Sequence, residues 1–453
     1  MRALSRRAFL QDAALTASAV GASFSAESVG AAEQAVKRPR VAAIFTELRF
    51  RSHAYNILEN FIKPYLFNGK LVDPGVDVVS FYADQFPDRD LAREVSRRFQ
   101  IPLFSSIDKA VCVGGKELAV DAVLSIGEHG VYPFNNLGQR MYPRKRFFDH
   151  AVAAMKRSNR YVPFFNDKHL SFRWEWAKEM YDTSRKHGFP LMAGSSVPLA
   201  QRRPAFELPA GADIEEAVSI HGGGVETYDF HGLEVLQSIV EARNGGESGI
   251  SRIELLTGKK FQQAVAKGRW SQQLVEAAMT AENNMQARRQ QRPDSKTRKT
   301  SRQNLFPDHA LLVTYRDGFR ATVLKVGRDS SRWNFACKLR GESKPRATAF
   351  FNGPWGNRCL FKALSHAIQH LFVHRKEPYP VERTLLVSGA LEAAMQSHHR
   401  GGIPIETPHL EFPYQPIDFR DMREMGASWK IITEKTPQPA NFEPGDAARF
   451  KKS

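Results

Sequence analysis

Glu128 and His129 stand between Gly127 and Gly130, Asp167, Lys168 and His169 follow one another, and His53 and His231 stand apart from both runs. Carboxylates beside imidazoles can hold a divalent cation and direct water at a substrate, the chemistry of a metal-assisted hydrolase or isomerase. The same groups can instead trade protons: a lysine in a partly dry cleft has its pKa lowered toward neutrality, and a histidine titrates there unaided. No fixed ligand spacing joins these residues, which favours a sugar pocket over a metal centre. Tyr132, Asn135, Arg140, Tyr142, Arg144 and Lys145 add hydrogen-bond donors and flat rings nearby, as a hydroxyl-rich ligand requires; a polar surface loop is the alternative.

Other candidates are weaker. His366, His370 and His374 recur every four residues, so a helix stacks them on one face at metal-ligand spacing. Ala367 stands where the general base of a metalloprotease helix would be, and a polar helix face is the better reading. Cys112, Cys337 and Cys359 are too few for a disulfide scaffold and form no Cys-x-x-Cys pair. They read as core cysteines. The formal charge of +17 raises the question of a polyanionic partner, and seven of the positive charges fall between Arg288 and Arg302. No aromatic residue interleaves them to stack on bases, so a solvated loop over 286–304 is expected and no nucleic-acid partner.

The elements that must position these groups are read from periodicity. Short apolar runs at 40–46, 76–82, 101–104, 120–126 and 161–165 alternate with helical spacing at 52–67, 90–99, 146–156 and 171–187. This is the rhythm of a Rossmann-like, doubly wound parallel sheet, in which ligands bind at the C-terminal edge of the strands. Glu128, His129, Asp167 to His169, His53 and His231 are expected to converge there. After about Gly194 strands dominate, at 214–220, 253–256, 310–315, 319–324 and 346–351, and Asp317-Gly318 predicts an antiparallel hairpin. The fold class is therefore α/β: an N-terminal parallel-sheet domain and a C-terminal α+β domain with a largely antiparallel open sheet.

Ser5-Arg6-Arg7-Ala8-Phe9-Leu10, a small apolar run and Gly30-Ala31-Ala32 have the order of a twin-arginine export signal. Expected divisions are a signal at 1–32, a Rossmann-like domain at 38–194, a second domain at 195–433 and a polar tail at 434–453 that packs loosely. An exported protein, periplasmic or extracellular, with no stable membrane anchor follows, since no later stretch is apolar enough to cross a bilayer. A homo-oligomer is left open.

Four stretches in order resemble the glucose-fructose oxidoreductase and inositol dehydrogenase (Gfo/Idh/MocA) family: Asp121 to Ile126, Val162 to Leu170, Gly222-Gly223-Gly224 with His231 and Glu234, and Glu377 to Val381 with Gly401-Gly402. The resemblance implies an oxidoreductase acting on a sugar or polyol with NAD(P). Lys168 and His231 would be the catalytic proton handlers, with Thr227 where the family has aspartate. Thr46, Asp84, Glu128 and Asp167 would lie along the cofactor, and His129, Tyr132, Arg144 and Asp229 along the substrate. The chain departs from the family at the turn after the first strand. Phe45-Thr46-Glu47-Leu48-Arg49-Phe50-Arg51-Ser52-His53 holds no glycine, whereas pyrophosphate needs bare backbone to reach a helix N-terminus. Two readings stay open: an enzyme of this type, or a carbohydrate-binding protein of the same fold that has lost dinucleotide chemistry.

Overall fold

A computed structural model describes residues 38–290 and 307–447. The export signal and most of the basic 286–304 segment lie outside the described residues. The first half runs β1 (Arg40–Phe45), α1 (His53–Ile62), the hairpin β2 (Tyr65–Phe67) and β3 (Lys70–Val72), β4 (Asp77–Ala83), α2 (Ala92–Phe99) and β5 (Leu103–Phe104). It continues with α3 (Ile107–Val111), β6 (Ala122–Ile126), α4 (Arg144–Arg157), β7 (Phe164–Asp167), α5 (Trp174–His187) and β8 (Leu191–Gly194). Six of these strands form one all-parallel sheet in the order β5-β4-β1-β6-β7-β8. The chain starts at the centre of that sheet and winds outward both ways, which leaves a crevice beyond β1 and β6.

Burial on both faces explains why these strands are apolar throughout rather than alternating. Val41, Ala43 and Phe45 of β1 face one apolar cluster with Tyr55 and Leu58 of α1, while Ala42 and Ile44 face another with Phe147 and Phe148 of α4. Helix α1 starts at Ser52, whose hydroxyl accepts from Tyr55 N. It stops at Ile62, short of the helix expected to Phe67, because Pro64 bars its continuation and the chain turns into β2.

The second half adds β9 (Gln201–Arg203), β10 (Ile214–His221), α6 (Asp229–Val240), β11 (Ile250–Thr257), α7 (Gly258–Ala266), α8 (Gln272–Gln290), β12 (Pro307–Tyr315) and β13 (Arg320–Val326). Then follow β14 (Trp333–Leu339), β15 (Arg346–Phe351), α9 (Asn357–His374), α10 (Val381–His399) and β16 (Ile405–Glu406). Eight strands form a mixed sheet in the order β16-β11-β12-β13-β10-β14-β15-β9, antiparallel except between β10 and β13. The Asp317-Gly318 hairpin closes as expected, with Gly318 at φ 86°. Strand β14 was not legible beforehand: Asn334 and Lys338 interrupt its apolar run, yet it pairs along the length of β10.

The tail corrects an expectation. Far from packing loosely, its described part, 434–447, lies across α1 and α9: Arg358 donates to Pro439 O at 2.6 Å and Asn441 O at 3.1 Å. Phe442 is buried against Tyr55, and Asp446 accepts from Lys362 Nζ at 2.5 Å. Few apolar residues suffice because the buried Lys362–Asp446 ion pair and the Arg358 guanidinium hold the segment. All three cysteines are buried and free.

Candidate functional site

The C-terminal ends of β1, β6, β7 and β8 deliver the site. Glu128 leaves β6 and lies 5% exposed beneath two cations. Lys168 Nζ donates to its Oε1 at 3.0 Å, and Arg144 at the start of α4 donates to its Oε2. Burial opposes ionisation, but Lys168 and then Arg144 outweigh it and hold the Glu128 carboxyl well below the usual range. Arg144 also donates to Asp167 O at 3.1 Å and reaches His169 Nε2 at 3.3 Å, tying the ends of β6 and β7 together.

Lys168 has φ 66°, a left-handed conformation that costs a side-chain-bearing residue about 1–2 kcal/mol. It persists because its ammonium is held between Glu128 and Thr227 O, at 3.4 Å, while Gly194 N donates to its carbonyl at 3.1 Å. The strain turns the side chain back over the sheet edge. His231, on the first turn of α6, arrives from the second sheet's side and is fixed by Ser195 Oγ at 2.6 Å, with Trp333 of β14 edge-on at 5.2 Å. Burial first and the Lys168 charge second push its pKa well below the ordinary value, so the ring is neutral.

A second layer flanks this pair. His53 Nδ1 meets Asp167 Oδ2 at 2.6 Å, and its ring lies edge-on to His129 at 4.9 Å. His129, at φ 71°, touches Arg49 through Nδ1 at 3.4 Å, and its buried Nε2 has no hydrogen-bond partner. Burial and the neighbouring His53 lower its pKa to about 3. His169 faces Glu226 at 3.7 Å and leaves Nδ1 unpartnered. The structure therefore brings Lys168, Glu128, Arg144, Asp167, His129, His53, His169 and His231 to one sheet edge, as the topology requires.

Three anticipated residues are committed to partners inside the protein, although Asp84 follows β4 at the same sheet edge, its N donating to Phe45 O. Asp84 accepts from Tyr82 and Tyr132 hydroxyls at 2.6 Å each and from Arg146 at 2.7 Å, so the carboxylate and Tyr132 satisfy each other. Asp229 is wholly buried: its Oδ1 accepts from His309 Nε2 at 2.8 Å and contacts His221 Nε2 at 3.0 Å, and its Oδ2 accepts from Glu226 N at 2.9 Å. Both oxygens are spent inside the protein. Sequence reading missed Ser195, Trp333, His221 and His309; Ser195 could have been found, since it directly follows a strand at the ligand-binding edge.

Among the described residues, His221, Asp229 and His309 are the one group of three or more His, Cys, Asp or Glu side chains whose ligating atoms lie within 4.8 Å of one another. Gly223 N donates to His221 Nδ1 at 3.3 Å, which places the proton of the neutral ring on Nε2, pointing at Asp229. A metal at Nε2 would need the ring's proton to move to Nδ1, where Gly223 N already donates. A hydrogen-bonded anchor for α6 is the chemistry this arrangement performs.

A dinucleotide fits the β1–α1 turn poorly. Thr46 N is bonded to Ile126 O, Thr46 Oγ1 donates to Glu128 O at 2.5 Å, and Thr46 O accepts from Gln85 N. Glu47 is buried under Arg49, and the Ser52 cap occupies Tyr55 N. A cradle for pyrophosphate needs free backbone N–H groups and an open approach; this turn offers side chains and a carboxylate instead. Asp84, already filled, is not free for a ribose.

No family model matches the chain, and no curated protein matches its sequence. Its fold is similar to that of GenD2 from gentamicin A biosynthesis in complex with NAD: TM-score 0.51, 10% identity, 82% of this chain and 97% of that one. Myo-inositol dehydrogenase from Lactobacillus casei in complex with NAD(H) and myo-inositol is also similar, at TM-score 0.49 and 12% identity over 82% and 98% of the two chains. So is an oxidoreductase from Agrobacterium radiobacter in complex with NAD+, L-tartaric acid and magnesium, at 0.48 and 12% over 82% and 98%. At 10% identity the likeness to GenD2 establishes a shared fold and no more.

Proposed function

We propose that this protein binds a polyhydroxylated small molecule, a sugar or polyol, over the C-terminal edge of the parallel sheet, and does so without holding NAD(P) by the usual pyrophosphate contact. The observation that carries the reading is Lys168: a strained backbone aims its ammonium, braced by Glu128 and Thr227 O, toward the face where the neutral His231 ring stands. An ammonium donor beside a neutral imidazole suits hydroxyl and carbonyl groups, since one gives a proton and the other accepts one. Glu128 holds the Lys168 side chain in place, and Ser195 fixes the histidine ring. The mismatch at residues 46–52 favours binding over redox turnover. The fold's likeness to proteins solved with NAD supports the oxidoreductase reading, in which the same Lys168 and His231 pass the proton.

Calorimetric titration with myo-inositol and simple sugars, and separately with NADH, tests this. Binding of a polyol should weaken by about 1–3 kcal/mol in Lys168→Ala, as for one charge-assisted hydrogen bond. NADH should bind in the high micromolar range or weaker, on an order-of-magnitude view. A tight stoichiometric NADH complex would overturn the cofactor half of the reading; polyol affinity unchanged in Lys168→Ala would overturn the site. If turnover with NAD(P) is found, Lys168→Ala should lower it by about two to four powers of ten. We also propose export, from Arg6 and Arg7; replacing both by lysine should retain precursor inside the cell.

A further inference from the structure

Away from the sheet edge, Arg202 on β9 and Arg423 lie where two cavities meet, one of about 660 Å³ and one of about 420 Å³, and both residues line both cavities with Glu207. Arg423 is 2% exposed and the Arg202 side chain 8%. Buried guanidinium groups are ordinarily matched by carboxylates with all their N–H groups used. Here they are not. Arg423 pairs with Glu207 through Nη2, the same carboxylate is 3.7 Å from Arg202, and the remaining bond of Arg202 is to Phe206 O at 3.0 Å. The Nε–H of each arginine is buried without a hydrogen-bond partner. Burial, and next the charge of Arg423, lower the Arg202 pKa to about 9, the mark of a cation short of counter-charge.

The other charged groups of the smaller cavity are committed: Glu241 to Arg383, and Asp418 to Arg420. Glu424, on the wall of the larger, accepts from Asn68 N, Gly426 N and the Ser428 hydroxyl. Arg203 and Glu434, of opposite sign, also line the larger cavity. Arg202 and Arg423 share Glu207 as their ion-pair partner, so the pair itself is one counter-charge short, which a monoanion bound between the two guanidinium groups supplies. Phe206, Met285 and Trp429 on one side and Leu208, Ile214 and Phe419 on the other supply apolar walls. Both volumes are those of small-molecule sites.

We infer that Arg202 and Arg423 form a second binding site, for an organic monocarboxylate whose carboxylate bridges the two guanidinium groups and whose body lies in the adjoining apolar cavity. Arginine's planar fork suits that geometry, and an inorganic dianion would meet Glu207 and leave the apolar walls unused. The site is separate from the Lys168 cluster and does not rest on the function proposed above.

Benzoate and its uncharged isostere benzamide, titrated into the full chain by calorimetry, decide the matter. Benzoate should bind one-to-one and benzamide at least about tenfold more weakly, the factor expected when a charge-assisted contact is lost. Arg202→Gln and Arg423→Gln should each weaken benzoate at least about tenfold, and Lys168→Ala should leave it unchanged. If Arg423→Gln fails to fold, Arg202→Gln, whose ion pair is long, carries the test. No benzoate binding up to about 10 mM, equal binding of benzamide, or affinity indifferent to Arg202 would overturn the site. Inorganic phosphate binding as tightly as benzoate would overturn the organic monoanion.

Discussion

Lys168 Nζ donates to Glu128 Oε1 at 3.0 Å, and each side chain is 5% exposed. Glu128 is the hub of this arrangement and Lys168 a spoke, because Arg144 still balances Glu128 once Lys168 is gone. Glu128→Gln instead leaves two buried cations facing an amide. It should therefore cost about 3–5 kcal/mol in denaturant unfolding, and Lys168→Met clearly less. Equal losses would show that the carboxylate is not the shared partner.

His129 sets a pH dependence. Its folded pKa of about 3 lies below the roughly 6.5 of an unfolded histidine. Between those values the unfolded chain binds a proton that the folded chain refuses, so stability is full above pH ~6.5 and falls as the pH drops toward ~3, by up to about 1.4 kcal/mol per pH unit. His129→Asn, which tolerates the left-handed backbone, should flatten unfolding midpoints measured from pH 7 to 4 by one proton's slope. An unaltered slope would count against a neutral, buried ring.

Glu234 has the opposite sign. Burial, against the opposing Arg383 charge and the bonds from Thr384 and Ser195 N, raises its pKa to about 7. Folding favours its protonated form, so its ionisation destabilises the fold as pH rises from ~4.5 through ~7. Glu234→Gln can accept from Ser195 N and donate to Thr384. Melting curves should show it more stable than the parent at pH 8, by on the order of 3 kcal/mol, and no different at pH 4. A variant that loses stability at pH 8 would sink the assignment.

Gly389 lies mid-helix in α10, where alanine normally gains roughly 0.5–1 kcal/mol of helix propensity. A Cβ there would meet Leu410 Cδ2 at 2.4 Å and Trp174 at 2.7 Å. Overpacking should win, and Gly389→Ala should lose about 1–3 kcal/mol by chemical denaturation. A stabilised variant would mean that α10 and α5 pack less tightly than the structure has them.

The sequence by itself determined the architecture of the first half and which residues meet. Continuous apolar strands demand burial on both faces, and parallel strands joined by helices must present their C-terminal ends together, so Glu128, Asp167 and Lys168 had to share one edge with His53. The absence of glycine from 46–52 was equally readable, because pyrophosphate contact depends on bare backbone. What only the tertiary structure decided were pairings between residues far apart in the chain. Asp229 looked like a site carboxylate beside His231, yet the register of β10 and β12 puts His221 and His309 against it. Asp84 stood where a cofactor-binding acid would be, yet the loop after β6 folds Tyr132 onto it and α4 adds Arg146. The tail looked loose for want of apolar residues, yet Arg358 and Lys362 on α9 bind it through buried charge. Local periodicity records burial, which each residue carries in its own chemistry; the partner of a polar group is set by long-range packing, which no neighbour in the sequence encodes.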